Sequence, residues 1–475
     1  MEVSLGTIEK YKKCCSEVVL QENNSKDDHT RILPEEVISY MLSFLTMRDA
    51  VRVRLLSSRW RYFCAATFDL HFDPFTVFGV TWDPLCWDRR KLWEDSLRFV
   101  RAVDQVLQFY NREKLESFRV RYSLGNEYAS HINRWVIFAV KKHTEKLHLD
   151  FSHAPESSEL YNFPCHSLQG ESSKLKHLTL EACVLRPHTD SIKCFTSLTR
   201  LELHDMPLNL SDLDDILFGC TSLEFLKLKL CRLCGGMGTV YIRGQLKLSW
   251  LVVEDCSGAT TIEISSINLT TFEYSGLLTT FKFVGVPYLK NVFLHRHSWT
   301  NKFLTEVAED FPQIQNLTQT MMVNMRILRP RIPSTYQYVR KLELMVFLVR
   351  EFDLRSIIFI LNAFPCLQKF HLMMQCWNIK KEVKWEYSEE LFYHLEGVEI
   401  SGFVDACNSM ELAIYLMKYA PGLKKMVINS RSRRYYGGGR WSQSISRTMS
   451  RDERKRIHEV LSKEKVNENL QLVIK

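Results

Sequence analysis

No stretch of this 475-residue chain reaches the roughly eighteen consecutive apolar residues that a bilayer-crossing helix requires. The first 29 residues hold no apolar segment of the kind a secretory signal needs, so the expected address is the nucleus or cytoplasm, with no membrane partner. Charge of one sign is not concentrated either: a formal net charge of +8 is spread over many segments, unlike the basic stripe of a dedicated nucleic-acid binder. The 14 cysteines lack the spacing of a disulfide framework, and in a reducing compartment they read as small apolar core residues. Cys231-Arg-Leu-Cys234 has metal-like spacing, but no second pair follows at zinc-site distance and Gly235 comes next, so a buried turn is the better reading. Gly235-Gly-Met-Gly238 lacks the lysine and hydroxyl residue of a phosphate loop. His295-Arg-His297 would share one strand face, with no third ligand in view. No Ser/His/Asp or Cys/His arrangement stands out. The expectation is therefore a protein without metal, cofactor or catalytic residue.

Apolar residues make up 45% of the chain against 25% charged, a globular balance, and their arrangement carries the information. From Leu175 onward they fall into the pattern L-x-x-L-x-L: Leu175, Leu178, Leu180; Leu198, Leu201, Leu203; Leu223, Leu226, Leu228; Leu248, Leu251, Val253; Leu269, Phe272, Tyr274; Leu289, Val292, Leu294. Successive starts recur at intervals of roughly 20 to 25 residues, within the leucine-rich-repeat period, in which each unit supplies one short strand and stacks on its neighbours. The phase returns at Val339, Leu367, Leu395 and Leu423, now at a constant interval of about 28 residues, so longer units continue the array. The spacing predicts an α/β leucine-rich-repeat solenoid, horseshoe-like.

Ahead of it the character differs. Residues 1–29 read as a polar tail. At Leu33 an apolar knot begins: Pro34 suits a first helical position, Glu35 and Glu36 suit the positive end of a helix, and Val37, Ile38, Met41, Leu42 and Leu45 recur at helical spacing. Thr46 with Asp49, and then Ser57, offer caps for two further short helices. Three such helices hold too little core to stand alone, so a partner is expected to cover them. A longer helix is predicted over 91–110, a strand-helix-strand unit over the last two repeats, and a surface helix and final strand at RDERKRIHEVL and LQLVIK. The basic stretch RSRRYYGGGRW, starting at Arg431, reads as a flexible loop rather than a base-stacking platform.

Leu33-Pro34, Glu36, Val37-Ile38, Leu42, Phe44-Leu45, Ala50-Val51, Leu56-Ser57 and Arg59-Trp60-Arg61 resemble the F-box of plant F-box proteins with leucine-rich repeats. Residues 394–403 and 410–428 resemble the FBD region of the same family. The resemblance implies a small three-helix F-box at 30–72, a helical linker and start of the solenoid at 73–140, leucine-rich repeats at 141–345, FBD-like terminal repeats at 346–430 and a basic segment at 431–475. It implies the substrate-recognition adaptor of an SCF-type ubiquitin ligase, in which the F-box docks on a Skp-family adaptor and, through it, on cullin and RING subunits. The docking residues it maps are Leu33, Pro34, Ile38, Leu42, Leu45, Val51, Leu56 and Trp60. Ser58 and Cys64 depart from the lysine and tryptophan common there.

In a leucine-rich repeat the positions between the leucines form the concave surface such solenoids use for binding. Here they include Arg200, Glu202, His204, Lys227, Lys229, Trp250, Val252, Glu254, Phe293, His295, Glu343 and His371, the candidate contacts for an unidentified target protein. Mixed charge with Trp250 and Phe293 suits a protein or peptide, and Glu202, Glu254, Glu343 and Glu399 oppose a phosphate backbone. Two rivals stay open at this level: a repeat scaffold outside any ligase, and, less favoured, a nucleic-acid-binding repeat protein.

Overall fold

The computed structural model describes residues 34, 37, 69–79, 95–108, 110, 112–152, 158–168, 174–187, 194–235, 238–243, 247–277, 279–296, 314–323, 336–348, 355–376, 391–403, 409–431, 433–435, 441–443, 449–465 and 467–475. The chain divides into two compact units, Met1–Thr67 and Phe68–Lys475. Of the first unit only Pro34 and Val37 are described, both exposed, with Val37 helical. The three predicted short helices otherwise lie outside the described residues.

In the second unit fifteen described strands form one sheet in chain order. They are β1 Asp69–Phe72, β2 Ser117–Arg121, β3 Lys146–Asp150, β4 His177–Glu181, β5 Arg200–His204, β6 Phe225–Lys229, β7 Trp250–Glu254, β8 Thr271–Gly276 and β9 Asn291–Arg296. They continue with β10 Asn316–Val323, β11 Lys341–Leu348, β12 Lys369–Cys376, β13 Gly397–Ser401, β14 Lys425–Asn429 and β15 Gln471–Ile474. Every neighbouring pair is parallel and in register, so Leu178, Leu201, Leu226, Leu251 and Phe272 form one continuous buried row and Leu180, Leu203, Leu228, Val253 and Tyr274 the next. The first apolar residue of each unit, from Leu175 to Leu423, is buried just ahead of its strand.

Five strands escaped the leucine pattern. β2 follows the same grammar with Leu115, Phe118 and Val120, and β3 with Thr144, Leu147 and Leu149, where the buried Thr144 hydroxyl donates to the Ala139 carbonyl at 2.7 Å. The long interval between Leu289 and Val339 contains β10, preceded by buried Ile314, so it is two units rather than one. β1 and β15 complete the ladder at its ends, and β1 falls within the stretch read as F-box.

The longest units return behind the sheet through helices and the shortest through strands, while the two equal units begun by Leu198 and Leu223 use one of each, a helix and a strand respectively. The longer units begun by Val339 and Leu395 return through helices α5 Arg355–Asn362 and α6 Ser409–Tyr419, numbered after α1 Pro74–Phe78, α2 Ser96–Gln108, α3 Ala129–Lys141 and α4 Leu210–Gly219; α7 is Arg451–Lys463. The shortest units, begun by Leu248 and Leu269, return through strands Thr261–Ser265 and Thr280–Phe283, which join Thr239–Arg243 in a separate parallel sheet. The 11 residues of α6 span about 16 Å as helix, and about five residues cover the same distance extended. A short unit has no length to spare for a helix. The core lies between the main sheet and these returns, filled by Trp135, Tyr161, Phe195, Phe272, Phe281 and Tyr415.

One position past the strand, successive units turn through left-handed backbone: Ala182 (φ 52°), Asp205 (48°), Leu230 (53°), Asp255 (52°) and Gly402 (71°). Only the last is the residue for which that conformation is free. The other four N–H groups bond the carbonyl of the next strand, 2.6–3.0 Å away, extending the ladder by one rung.

Two readings of the sequence are corrected here. The stretch after Arg431 is a two-stranded antiparallel hairpin, Arg433–Tyr435 with Trp441–Gln443, rather than a free loop. The Cys231/Cys234 pair is split across a short strand, Cys231 buried and Cys234 exposed, as alternation along an extended segment requires. No described helix is long and apolar enough to cross a membrane.

Candidate binding face

The strand positions between the buried rows project from the other face of the main sheet, and register brings them into two parallel files. One runs His71, Arg119, His148, Thr179, Glu202, Lys227, Val252, Glu273, Phe293, Thr318, Glu343, His371, Glu399. The other runs Arg121, Asp150, Glu181, His204, Lys229, Glu254, Ser275, His295. Nearest neighbours in the files sit on adjacent strands about 4.8 Å apart, close enough for each charge to select its neighbour.

From β2 to β7 that selection yields a charge network. Arg121 Nε lies 2.8 Å from the buried Asp150 carboxylate, and Arg119 Nε–H donates to His148 Nδ1 at 2.9 Å. Burial and the Arg119 guanidinium push His148 down to about 4. His204 stands between two carboxylates, Glu181 at 3.6 Å and Glu202 at 3.5 Å. Burial works against its charge, but the two carboxylates outweigh it and raise it to about 9. Burial also opposes ionisation of Glu202, yet His204 and Arg200 hold it at about 2. Lys227 and Lys229 share the Glu254 carboxylate at 3.0 and 2.8 Å.

Aromatic contacts link this network to the next strands. The Arg200 guanidinium stacks 3.6 Å above the Phe225 ring, which meets Trp250 edge-on at 5.4 Å. Trp250 Nε1–H donates to Glu273 at 2.8 Å, and the Tyr435 hydroxyl donates to the other oxygen of the same carboxylate. Glu273 is only 3% exposed. Beyond it the face becomes apolar: Phe293, Met345 and Met373 form a cluster, the Tyr435 ring lies 3.8 Å from Phe293, and Trp441 packs edge-on to Tyr435 at 4.9 Å.

Of the residues expected on an exposed surface, Arg200, Glu202, His204, Lys229, Trp250, Glu254 and His295 are half-buried on this face. Lys227 is 3% exposed because Glu254 folds over it, and Phe293 is 8% exposed beneath the hairpin. Strand alternation identifies a face but not what another part of the chain lays upon it. Glu273 escapes the sequence reading although it stands between Phe272 and Tyr274, and Tyr435 and Trp441 register there only as aromatics in a basic, flexible loop. Of the adaptor-docking candidates, Pro34 is described and exposed, whereas Leu33, Ile38, Leu42, Leu45, Val51, Leu56 and Trp60 lie outside the described residues.

His148, Asp150 and Glu181 present donor atoms within 4.8 Å of one another, a reach suited to a small cation. Arg119 and Arg121 already supply the positive charge at that point, so an internal ion network accounts for the group without a metal.

A continuous parallel ladder with one strand for every repeat, leucine rows on one side and variable residues on the other, defines a leucine-rich-repeat protein. The family model described as At1g61320/AtMIF1, LRR domain, matches residues 111–466, and the chain belongs to that family. F-box/FBD/LRR-repeat protein At1g13570 of Arabidopsis thaliana is 23% identical over 416 residues, covering 84% of this chain and 90% of that one. F-box/LRR-repeat protein 25 of the same organism is 30% identical over 200 residues, 42% of this chain and 66% of that one.

Proposed function

We propose that this protein is a non-catalytic substrate adaptor of the ubiquitin pathway, working in the nucleus or cytoplasm, whose repeat face holds a target protein. The observation that carries the reading is the joining of an F-box-like segment at 33–61 to a parallel repeat array whose non-leucine face is dense in charged and aromatic side chains. Similarity to F-box/LRR-repeat and F-box/FBD/LRR-repeat proteins supports it. In the finer form of the proposal the F-box docks on a Skp-family adaptor, which joins it to cullin and RING subunits in an SCF-type ligase. Catalysis is by proximity: holding target lysines beside a charged conjugating enzyme raises their effective concentration, with no acid, base or nucleophile from this chain.

The docking residues are Leu33, Pro34, Ile38, Leu42, Leu45, Val51, Leu56 and Trp60, of which a few anchors would dominate the affinity. The test is binding of the full-length protein to a purified Skp-family adaptor, beside a Leu33→Ala, Pro34→Ala, Leu42→Ala variant, with folding of both followed by circular dichroism. Binding by the wild type that is lost in the folded variant is expected. A well-folded wild type that does not bind overturns the ligase reading.

A further inference from the structure

The hairpin at Arg433–Gln443 occupies the part of the face where a repeat protein would receive its ligand, and its chemistry describes what that site accepts. Phe293, Met345 and Met373 make an apolar floor across β9, β11 and β12. Glu273 forms an acidic wall, one oxygen committed to Trp250 and the other turned to the Tyr435 hydroxyl. Onto this the hairpin lays one aromatic ring directly, Tyr435, and buttresses it with a second, Trp441. The segment that carries the two rings is basic in sequence, with Arg431, Arg433, Arg434 and Arg440, and the group its tyrosine meets on the face is the Glu273 carboxylate. Ring geometry and hydrogen bonding match.

The hairpin is also built to leave. Its two strands have three residues each and, among the described residues, pair only with one another and form no rung with the main sheet. An isolated two-stranded hairpin is marginal in water, so its stability depends on the patch it covers. It is spliced between β14 and α7, both of which pack in the array without it: β14 pairs with β13 and β15, and α7 has its own capping box at Ser450 and Glu453.

We propose that the patch of Phe293, Met345, Met373 and Glu273 is a docking subsite for a protein segment bearing an aromatic residue beside arginines, and that the chain's own hairpin is an internal competitor that must be displaced. The proposal rests on the reading of this face as the target-docking surface and specifies the chemistry of the target. A tethered segment sits at an effective concentration of about 1 mM, so a free peptide with an intrinsic Kd of about 100 µM meets a patch that is closed roughly ten to one.

The probe is a fluorescent synthetic peptide of the sequence of residues 431–443, RSRRYYGGGRWSQ, titrated into full-length protein and into a Tyr435→Ala, Trp441→Ala variant whose fold is verified by circular dichroism. The variant is expected to bind the peptide at least tenfold more tightly than the wild type, and adding Glu273→Gln or Phe293→Ala to it is expected to cut that affinity several-fold. Equal affinity for wild type and variant, no binding by the folded variant, or binding indifferent to both patch substitutions overturns the proposal. A second measurement uses the unaltered protein: at millimolar peptide, deuterium exchange in residues 433–443 of the chain is expected to rise while exchange in β8 and β9 stays as it was, one cover replacing the other, and unchanged exchange in the hairpin overturns displacement. None of these readouts involves the Skp-family adaptor, so failure here leaves the adaptor reading standing and failure there leaves this one standing.

Discussion

The two halves of the binding face follow the same strand grammar and are closed in opposite ways. Between β2 and β7, charges from adjacent strands satisfy one another, so Asp150 and Lys227 are buried, and Arg121, Glu202, His204 and Glu254 half-buried, within a network made by the sheet itself. Between β8 and β12, Met345 and Met373 face one another on adjacent strands and cluster with Phe293, and the hairpin from far along the chain, after β14, packs its Tyr435 and Trp441 against them. Charged residues can pair along a register ladder, because the ladder fixes their neighbours. An apolar floor has to be roofed from outside, and what roofs it is open to competition.

The charged half breaks most severely. Glu254→Ala leaves Lys227 buried without its counter-charge and is expected to cost about 3–5 kcal/mol, read as a lower urea midpoint. Replacing the pair together, Lys227→Met with Glu254→Leu, is expected to recover most of that loss, because the buried lysine goes with its partner and Lys229, the other cation on Glu254, is half-exposed and can be solvated.

Next in size is pH. His204 titrates at about 9 in the folded protein and near 6.5 unfolded, so its stabilisation is complete below about 6.5 and is lost as the pH rises through 9. His148 titrates at about 4 when folded, so the unfolded chain takes up its proton first and stability falls between about 6.5 and 4. Each limb is worth up to ~3 kcal/mol. Urea melts from about pH 4 to 10 are expected to show a maximum at about 6.5 with stability falling on either side, and His204→Gln is expected to flatten the alkaline limb.

In the apolar half, Tyr435→Phe removes the hydroxyl from Glu273 but keeps the ring. The expected loss is about 1–2 kcal/mol, confined to the hairpin and visible as faster deuterium exchange in residues 433–443 with little change in the global melt. The smallest effect is expected at Leu230, exposed and left-handed at φ 53°. Leu230→Gly relieves about 1 kcal/mol of backbone strain and forfeits nearly as much to the unfolded chain, so the melting temperature is expected to shift by no more than a degree or two.

The array was legible because a repeat writes its period into the sequence. Each L-x-x-L-x-L start found there, from Leu175 to Leu423, precedes a strand of the main sheet. Those that escaped carry Phe118 and Val120, or Thr144, where leucine was sought, and the interval between Leu289 and Val339 hid a unit because only Ile314 and Leu317 mark it. The helix expected over 91–110 is present as Ser96–Gln108, and the final helix and strand stand where the pattern placed them. The candidate face was half legible: alternation named the file that holds Glu202, Lys227, Val252 and Phe293, but exposure was assigned to Lys227, Val252 and Phe293 where the structure buries all three.

By itself the sequence determined the strand, its register and the face each residue takes, since these follow from alternation along the strand and from the repeat period along the array. Only the tertiary structure decided which charges meet, because a pair such as His204 with Glu181 joins residues one whole unit apart and depends on the stacking of neighbours. It alone also decided that Tyr435 and Trp441 roof Phe293. No local rule connects positions so distant in the chain; the contact exists because burying three apolar side chains against two aromatic rings offsets the ordering of a short basic hairpin.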